Sequence, residues 1–325
     1  MSVDRAFSLK IRRLSLLCAI LVVVIHSLTM PIGGSFFQDF VIRSLTQGAV
    51  PFFFVVSGFF YYNSFELNWK CATKKLMIRL KTLLIPFFLW VVIALLSAHI
   101  FRDRPFPSTW SGLVWDIGFP GFWPHILPPL WYVMMLLYMV ILGLPIGFAV
   151  RKFGLLFTVA CAIWYMLQLR AWVYLHAACF FSLGGWVAMN RDRVRSFFDR
   201  LIGRRFAVVV MAAMALACFR VIPIRSAVAG SVYYCAVVEI LYALLFAVSI
   251  WKGYEYLSCN GLPARCIDWM SQYTFFIYCS HYLFVVAPIN ICMGKAFFMF
   301  GCSLAVAVLT KRFLPRGYSV LTGGR

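Results

Sequence analysis

Apolar residues along this chain fall into long runs separated by short polar stretches. A run of roughly 17–22 apolar residues is long enough to cross a bilayer as a helix. Ten such runs stand at about 12–32, 44–63, 82–101, 129–150, 154–170, 172–189, 206–223, 231–250, 273–293 and 296–313. The fifth and sixth are divided only by Leu169–Arg170–Ala171. The pattern predicts an all-α, polytopic transmembrane helix bundle of about ten helices, with residues 1–325 forming a single membrane domain.

Composition changes one part of this picture. A chain of 325 residues has the length of two soluble domains. At 63% hydrophobic and 12% charged it lacks the polar residues to cover a water-facing surface, so lipid is its expected solvent. The formal charge is +20. Its basic residues lie in clusters between apolar runs, as in cytoplasmic membrane loops, and no polar domain is left to bind nucleic acid. With a cytoplasmic N-terminus, the inner segments 1–13, 64–81, 151–153, 190–206, 251–272 and 311–325 hold 23 Lys and Arg, against 7 outside. That asymmetry predicts an even number of helices with both termini cytoplasmic. Arg12 and Arg13 precede the first run as in an export signal, but no small-residue cleavage site follows, so an uncleaved first helix is expected. Most of the 11 cysteines lie inside apolar runs, without C-x-x-C pairs or His at metal-ligand spacing. They read as small apolar residues, with no metal site expected.

The outer loop 102–128 carries Trp110, Trp115, Trp123 and several prolines, and reads as an interfacial loop or as a lid over an external acceptor site. The stretch 190–205 is basic and amphipathic, suited to anionic lipid. Neither an inverted repeat nor a phosphate-cradling Gly loop is present.

Polar groups at bilayer depth are costly and mark candidate sites. His26 lies in the outer half of the first run, within VVVIHSLTMP, with Ser27 and Thr29 as candidate partners. It reads either as a packing histidine or as a general base whose neutral imidazole keeps a lone pair for a proton. His281 lies in the ninth run and Glu239 in the eighth, and either histidine is a candidate partner for the carboxylate. His99, His125 and His176 are expected near the outer interface. The second run, GAVPFFFVVSGFFYY, has Pro51 to break the backbone ladder and Ser57–Gly58 to permit close helix approach. Lys74, Lys75, Arg79 and Lys81 follow. Lys75 and Arg79 share a helix face and read either as positive-inside anchors or as a cradle for a phosphorylated donor.

The order of these segments resembles the acyltransferase-3 (O-acetyltransferase-like) family of integral membrane proteins. The resemblance rests on LSLLCAILVVVIHS, GAVPFFFVVSGFF, KKLMIRLKTLLIPFFLW, PLWYVMMLL, FFSLGGWVA and TFFIYCSHYLF, in order over about 14–285. It implies ten helices and transfer of an acyl group, commonly acetyl, from a cytoplasmic acyl-CoA co-substrate to a hydroxyl or amine. The implied acceptor is a glycan or other small envelope molecule, and no bound cofactor is implied. By resemblance His26 is the essential first-helix histidine, Arg79 with Lys75 and Lys81 the donor-side basic motif, Trp131 the L-W-F tryptophan and His281 the late histidine. Two positions depart from the pattern. Ser15 stands where many members carry Arg or Lys, with Arg12 and Arg13 one turn lower, and Met134 and Met135 stand where some carry charge.

The expected chemistry is direct attack of an acceptor hydroxyl on a thioester carbonyl, with His26 as base. Ser57, Trp131, Tyr278 and His281 are candidate donors to the developing oxyanion, and Glu239 a candidate pocket residue. The expected setting is a bacterial cytoplasmic (inner) membrane. A transporter or flippase, and an inactive member acting as a membrane scaffold, are the competing classes.

Overall fold

The computed structural model describes residues 5–27, 39–63, 68–118, 124–167, 172–202, 205–225, 232–256, 261–286, 289 and 292–324. Among them the chain is helical, with no strand. The helices in chain order are α1 (Arg5–His26), α2 (Ala49–Tyr62), α3 (Trp69–Arg79), α4 (Ile85–Arg102), α5 (Trp110–Ile117), α6 (Trp131–Ile141), α7 (Gly143–Phe153), α8 (Leu155–Leu167), α9 (Trp172–Met189), α10 (Arg191–Phe197), α11 (Phe206–Arg225), α12 (Val232–Tyr256), α13 (Leu262–Ser271), α14 (Thr274–Ser280), α15 (Cys292–Phe313) and α16 (Pro315–Thr322).

Four helical stretches among the described residues are long and apolar enough to cross a membrane: Asp39–Tyr62, Trp69–Arg102, Ala236–Glu255 and Met293–Phe313. The predicted run at 129–150 is not one straight helix. It bends by 68° between α6 and α7, so that the pair forms a broken span or a re-entrant loop. Pro145 supplies the cause, because it has no N–H for the carbonyl one turn back. The Tyr62 hydroxyl donates to backbone beside the bend, at Gly143 O, 2.6 Å away.

The basic run after α2 is helix rather than loop. Asn68 caps α3 by accepting from the Cys71 N–H at 2.8 Å. The helix then widens into one π turn at Leu80–Leu84, just before Pro86, and continues as α4. The predicted ninth span also changes geometry. Helix α14 tightens into a 3-10 turn at His281–Phe284.

Helices α2 and α9 pack backbone to backbone. A Cβ on Gly58 would stand 2.0 Å from Phe181 O, and one on Gly184 would stand 2.0 Å from Val55 O. Only glycine allows that approach. Helix α1 lies against α2, α13, α14 and α15. Its basic end is tied down by ion pairs: Lys10 to Glu255 at 2.8 Å, and Arg13 to both carboxylate oxygens of Asp268 at 2.6 and 2.8 Å. Hydrogen bonding to the Arg13 guanidinium holds the Asp268 carboxyl below its ordinary value.

Candidate active site

A cavity of about 620 Å³ opens among α1, α2, α3, α6, α14 and α15. Its lining combines two chemistries. The cations are Arg12, Arg79 and Lys311, from three different helices, and Ser15 and Gln272 also line the wall. No carboxylate lines the cavity among the described residues. Three cations without a lining acid suit an anionic group such as phosphate. Lys311 is also positioned by its surroundings, donating to Gln272 Oε1 at 2.6 Å and lying 5.1 Å from the Tyr273 ring centre.

Of the three predicted donor residues, only Arg79 reaches this cavity. Lys75 shares its helix face, as the spacing implies, but one turn earlier. There it donates to the Tyr61 carbonyl in the last turn of α2, where unsatisfied carbonyls attract a cation. Lys81 is exposed and outside the cavity wall. Ser15 does line the cavity, and Arg12, one turn lower, lies beside it. Met134 and Met135 are buried in the core and do not line it.

Phe53, Tyr132 and Tyr278 form an aromatic part of the wall. Their ring centres form a triangle with sides of 5.6–5.9 Å. Two of its hydroxyls are anchored. Tyr278 donates to Pro129 O at 2.6 Å, and Tyr132 and Ser57 share a hydrogen bond of 2.9 Å. In this structure the Tyr278 proton goes to backbone. Trp131 is not in the cavity wall. It packs against Phe54, with ring centres 6.1 Å apart, and the next residue, Tyr132, faces the cavity instead.

Beyond Tyr278 lies a histidine pair. The His281 ring is 6.2 Å from the Tyr278 ring, and the His26 ring is 5.3 Å from His281. Neither histidine lines the cavity. His281 is completely buried. Its Nδ1 lies 3.1 Å from Ile277 O, which can only accept, so Nδ1 carries the proton and Nε2 the lone pair. That Nε2 is buried with no hydrogen-bond partner among the described residues, as is the neighbouring Ser280 hydroxyl. Ser27, a candidate partner for His26, donates to Val24 O at 2.8 Å. Thr29 lies outside the described residues.

Glu239 joins neither of these histidines. It accepts from the Tyr165 hydroxyl at 2.9 Å and sits 3.5 Å from His176 Nε2. His176 is thus a buried bundle residue rather than an interfacial one, because a carboxylate among apolar helices needs partners at its own depth. His99 and His125 are exposed, and His125 stacks on Trp115 at 4.0 Å. In the loop 102–128, α5 is capped by Thr109 and tied back by Arg104–Asp116 at 2.6 Å. Trp123 lies outside the described residues.

Arg12, Lys311, Gln272 and Tyr132 were absent from the sequence-predicted site. They come from segments far apart in the chain, and only helix neighbours reveal them.

The arrangement is that of a multi-pass membrane protein whose cation-lined cavity lies beside a histidine pair, His281 buried and His26 half-buried. The acyltransferase-3 family model, an acyltransferase domain, matches residues 14–311. The chain belongs to this family, and is a membrane acyltransferase. No curated protein and no solved structure matches it.

Proposed function

We propose that the protein transfers an acyl group, acetyl by preference, from acyl-CoA to a hydroxyl or amine of a glycan or other envelope acceptor in a bacterial inner membrane. One observation carries this reading: a single cavity is lined both by three cations and by the aromatic group Phe53, Tyr132 and Tyr278, with the His281 ring 6.2 Å from that of Tyr278 and the His26 ring 5.3 Å from His281. The donor's phosphates sit at Arg12, Arg79 and Lys311, on the cytoplasmic side. Its pantetheine arm lies along Phe53, Ser57 and Tyr132. The aromatic rings turn aside to admit the thioester to His26.

The acceptor oxygen then attacks the thioester carbonyl carbon. A C–O bond forms, the carbonyl electrons move onto oxygen, and His26 takes the acceptor's proton. Collapse of the tetrahedral intermediate breaks the C–S bond, and the departing thiolate recovers that proton from His26. General-base help of this kind contributes ~10²–10⁴-fold.

The test supplies membranes with radiolabelled acetyl-CoA and total envelope glycan. Labelled glycan from wild type, lost in His26→Ala, is the expected result. Equal labelling by His26→Ala removes the histidine from the chemistry. Movement of an acceptor across the membrane without any donor supports a transporter instead.

A further inference from the structure

The buried, unpartnered Nε2 of His281 is the clearest loose end in the bundle. A lone pair sealed from water with nothing to accept from costs free energy unless a partner reaches it in the working state. Ile277 O fixes the tautomer, so this nitrogen can only accept. The nearest ring system with an N–H to give is His26. Two imidazoles joined by one N–H···N bond of about 2.9–3.0 Å have ring centres about 5.2 Å apart, allowing about 1.1 Å from each nitrogen to its centre. The observed separation is 5.3 Å, with the rings tilted by 40°. A modest ring rotation closes the bond.

We propose that His281 is the positioning residue for His26. The chain of donors would run from His26 N–H to His281 Nε2, and from His281 Nδ1–H to Ile277 O. Holding one His26 nitrogen as donor forces the other to keep its lone pair, aimed at the acceptor hydroxyl. This is the task a buried carboxylate performs for the histidine of a Ser-His-Asp triad, performed here by a neutral ring. A neutral orienter suits apolar surroundings, where an isolated carboxylate is costly. Glu239, the candidate carboxylate partner, is half-buried and is engaged elsewhere by Tyr165 and His176. The edge of the Tyr282 ring system, 5.2 Å from His26 and nearly perpendicular to it, restricts the ring from another side.

The inference rests on His26 being the base, and its test separates the two ideas. The protein has only five histidines, so ¹⁵N-histidine labelling in detergent is tractable. Wild type is expected to show His26 in a single tautomer, its signals assigned by their loss in His26→Ala. His281→Ala is expected to average the His26 nitrogens between tautomers and to lower kcat about 10²–10⁴-fold, with KM for acetyl-CoA unchanged. His281→Gln places an amide oxygen near the Nε2 position and is expected to restore at least about tenfold of that loss. A His26 nitrogen spectrum identical in wild type and His281→Ala overturns the proposal, even if kcat falls, because a merely structural loss leaves the tautomer alone. Wild-type activity in His281→Ala also overturns it. The nitrogen spectrum reads the pair whether or not acetyl-CoA is the donor, so a failed transfer assay removes only the functional reading.

Discussion

Lys75 and Arg79 lie one turn apart on the same helix face, yet their side chains end in different places. Arg79 reaches the cavity with Arg12 and Lys311, whereas Lys75 donates to Tyr61 O. Their substitutions are therefore expected to separate. If the donor's phosphates bind at the cation-lined wall as proposed, Arg79→Ala removes a charged contact of about 1.5–3 kcal/mol and should raise KM for acetyl-CoA about 10–100-fold. Lys75→Ala should leave KM alone and lower thermal stability by about 1 kcal/mol, read as detergent-phase melting. Equal KM effects for the two would place the donor outside this cavity. Helical spacing made Arg79 legible in the sequence, because i and i+4 share a face whatever the fold. The same reasoning could not choose between Trp131 and Tyr132, which point about 100° apart on one helix. Nor could it find Lys311, whose place depends on where α15 ends against α14.

Close helix contact governs what α2 and α9 tolerate. An added methyl at Gly184 meets Val55 O, a backbone atom that cannot swing away. Gly184→Ala is expected to cost about 1–3 kcal/mol and to lower the melting temperature. Gly301→Ala, with open space around the new Cβ, should be neutral or slightly stabilising. Similar melting curves for the two would mean that the α2–α9 approach does not support the fold. The clamp between α1 and α13 has a pH signature. The Asp268 carboxyl is held below its ordinary value of about 3.9 by hydrogen bonding to Arg13. A depressed folded value stabilises the protein above the unfolded one, and that contribution is lost as pH falls through the folded value. Asp268→Asn should thus melt lower than wild type at neutral pH, and the gap should close as the medium is acidified below about pH 4. A gap independent of pH would assign the loss to packing. At this scale the apolar runs located most helices well, since burial in lipid demands a long apolar stretch. Breaks were less visible. The run at 129–150 stays apolar through the bend at Gly143, and the one at 273–293 stays apolar through His281, so hydrophobicity carries no sign of either. Pro145 alone hinted at the first.

Sidedness decides whether the whole molecule can use a cytoplasmic donor. Helices α3 and α4 are joined through the π turn, and the 24 residues from Arg79 to Arg102 span roughly 35 Å at 1.5 Å per residue. That slightly exceeds a hydrocarbon core of about 30 Å. Arg79 and the loop beyond Arg102 should therefore face opposite compartments. The positive-inside asymmetry of the sequence predicts that the Arg79 end faces the cytoplasm. Helix α10 belongs to that end as well, because Arg191 packs 5.1 Å over the Phe7 ring, near the start of α1. Two exposed positions test this in a background where the native cysteines are replaced by serine: Arg193→Cys in α10 and Trp110→Cys, which is 82% exposed, in α5. In intact spheroplasts an impermeant maleimide should label Trp110→Cys at once, and should label Arg193→Cys only after the membrane is opened. The reverse pattern would turn the cation-lined mouth away from the cytoplasm, where acyl-CoA is made. The phosphate site would then face a compartment without its donor, and the cavity would need an anionic ligand from the outer side. Labelling of both sites from outside would mean that α3 and α4 do not cross as one helix, and the path from Arg79 to the histidine pair would have to be redrawn.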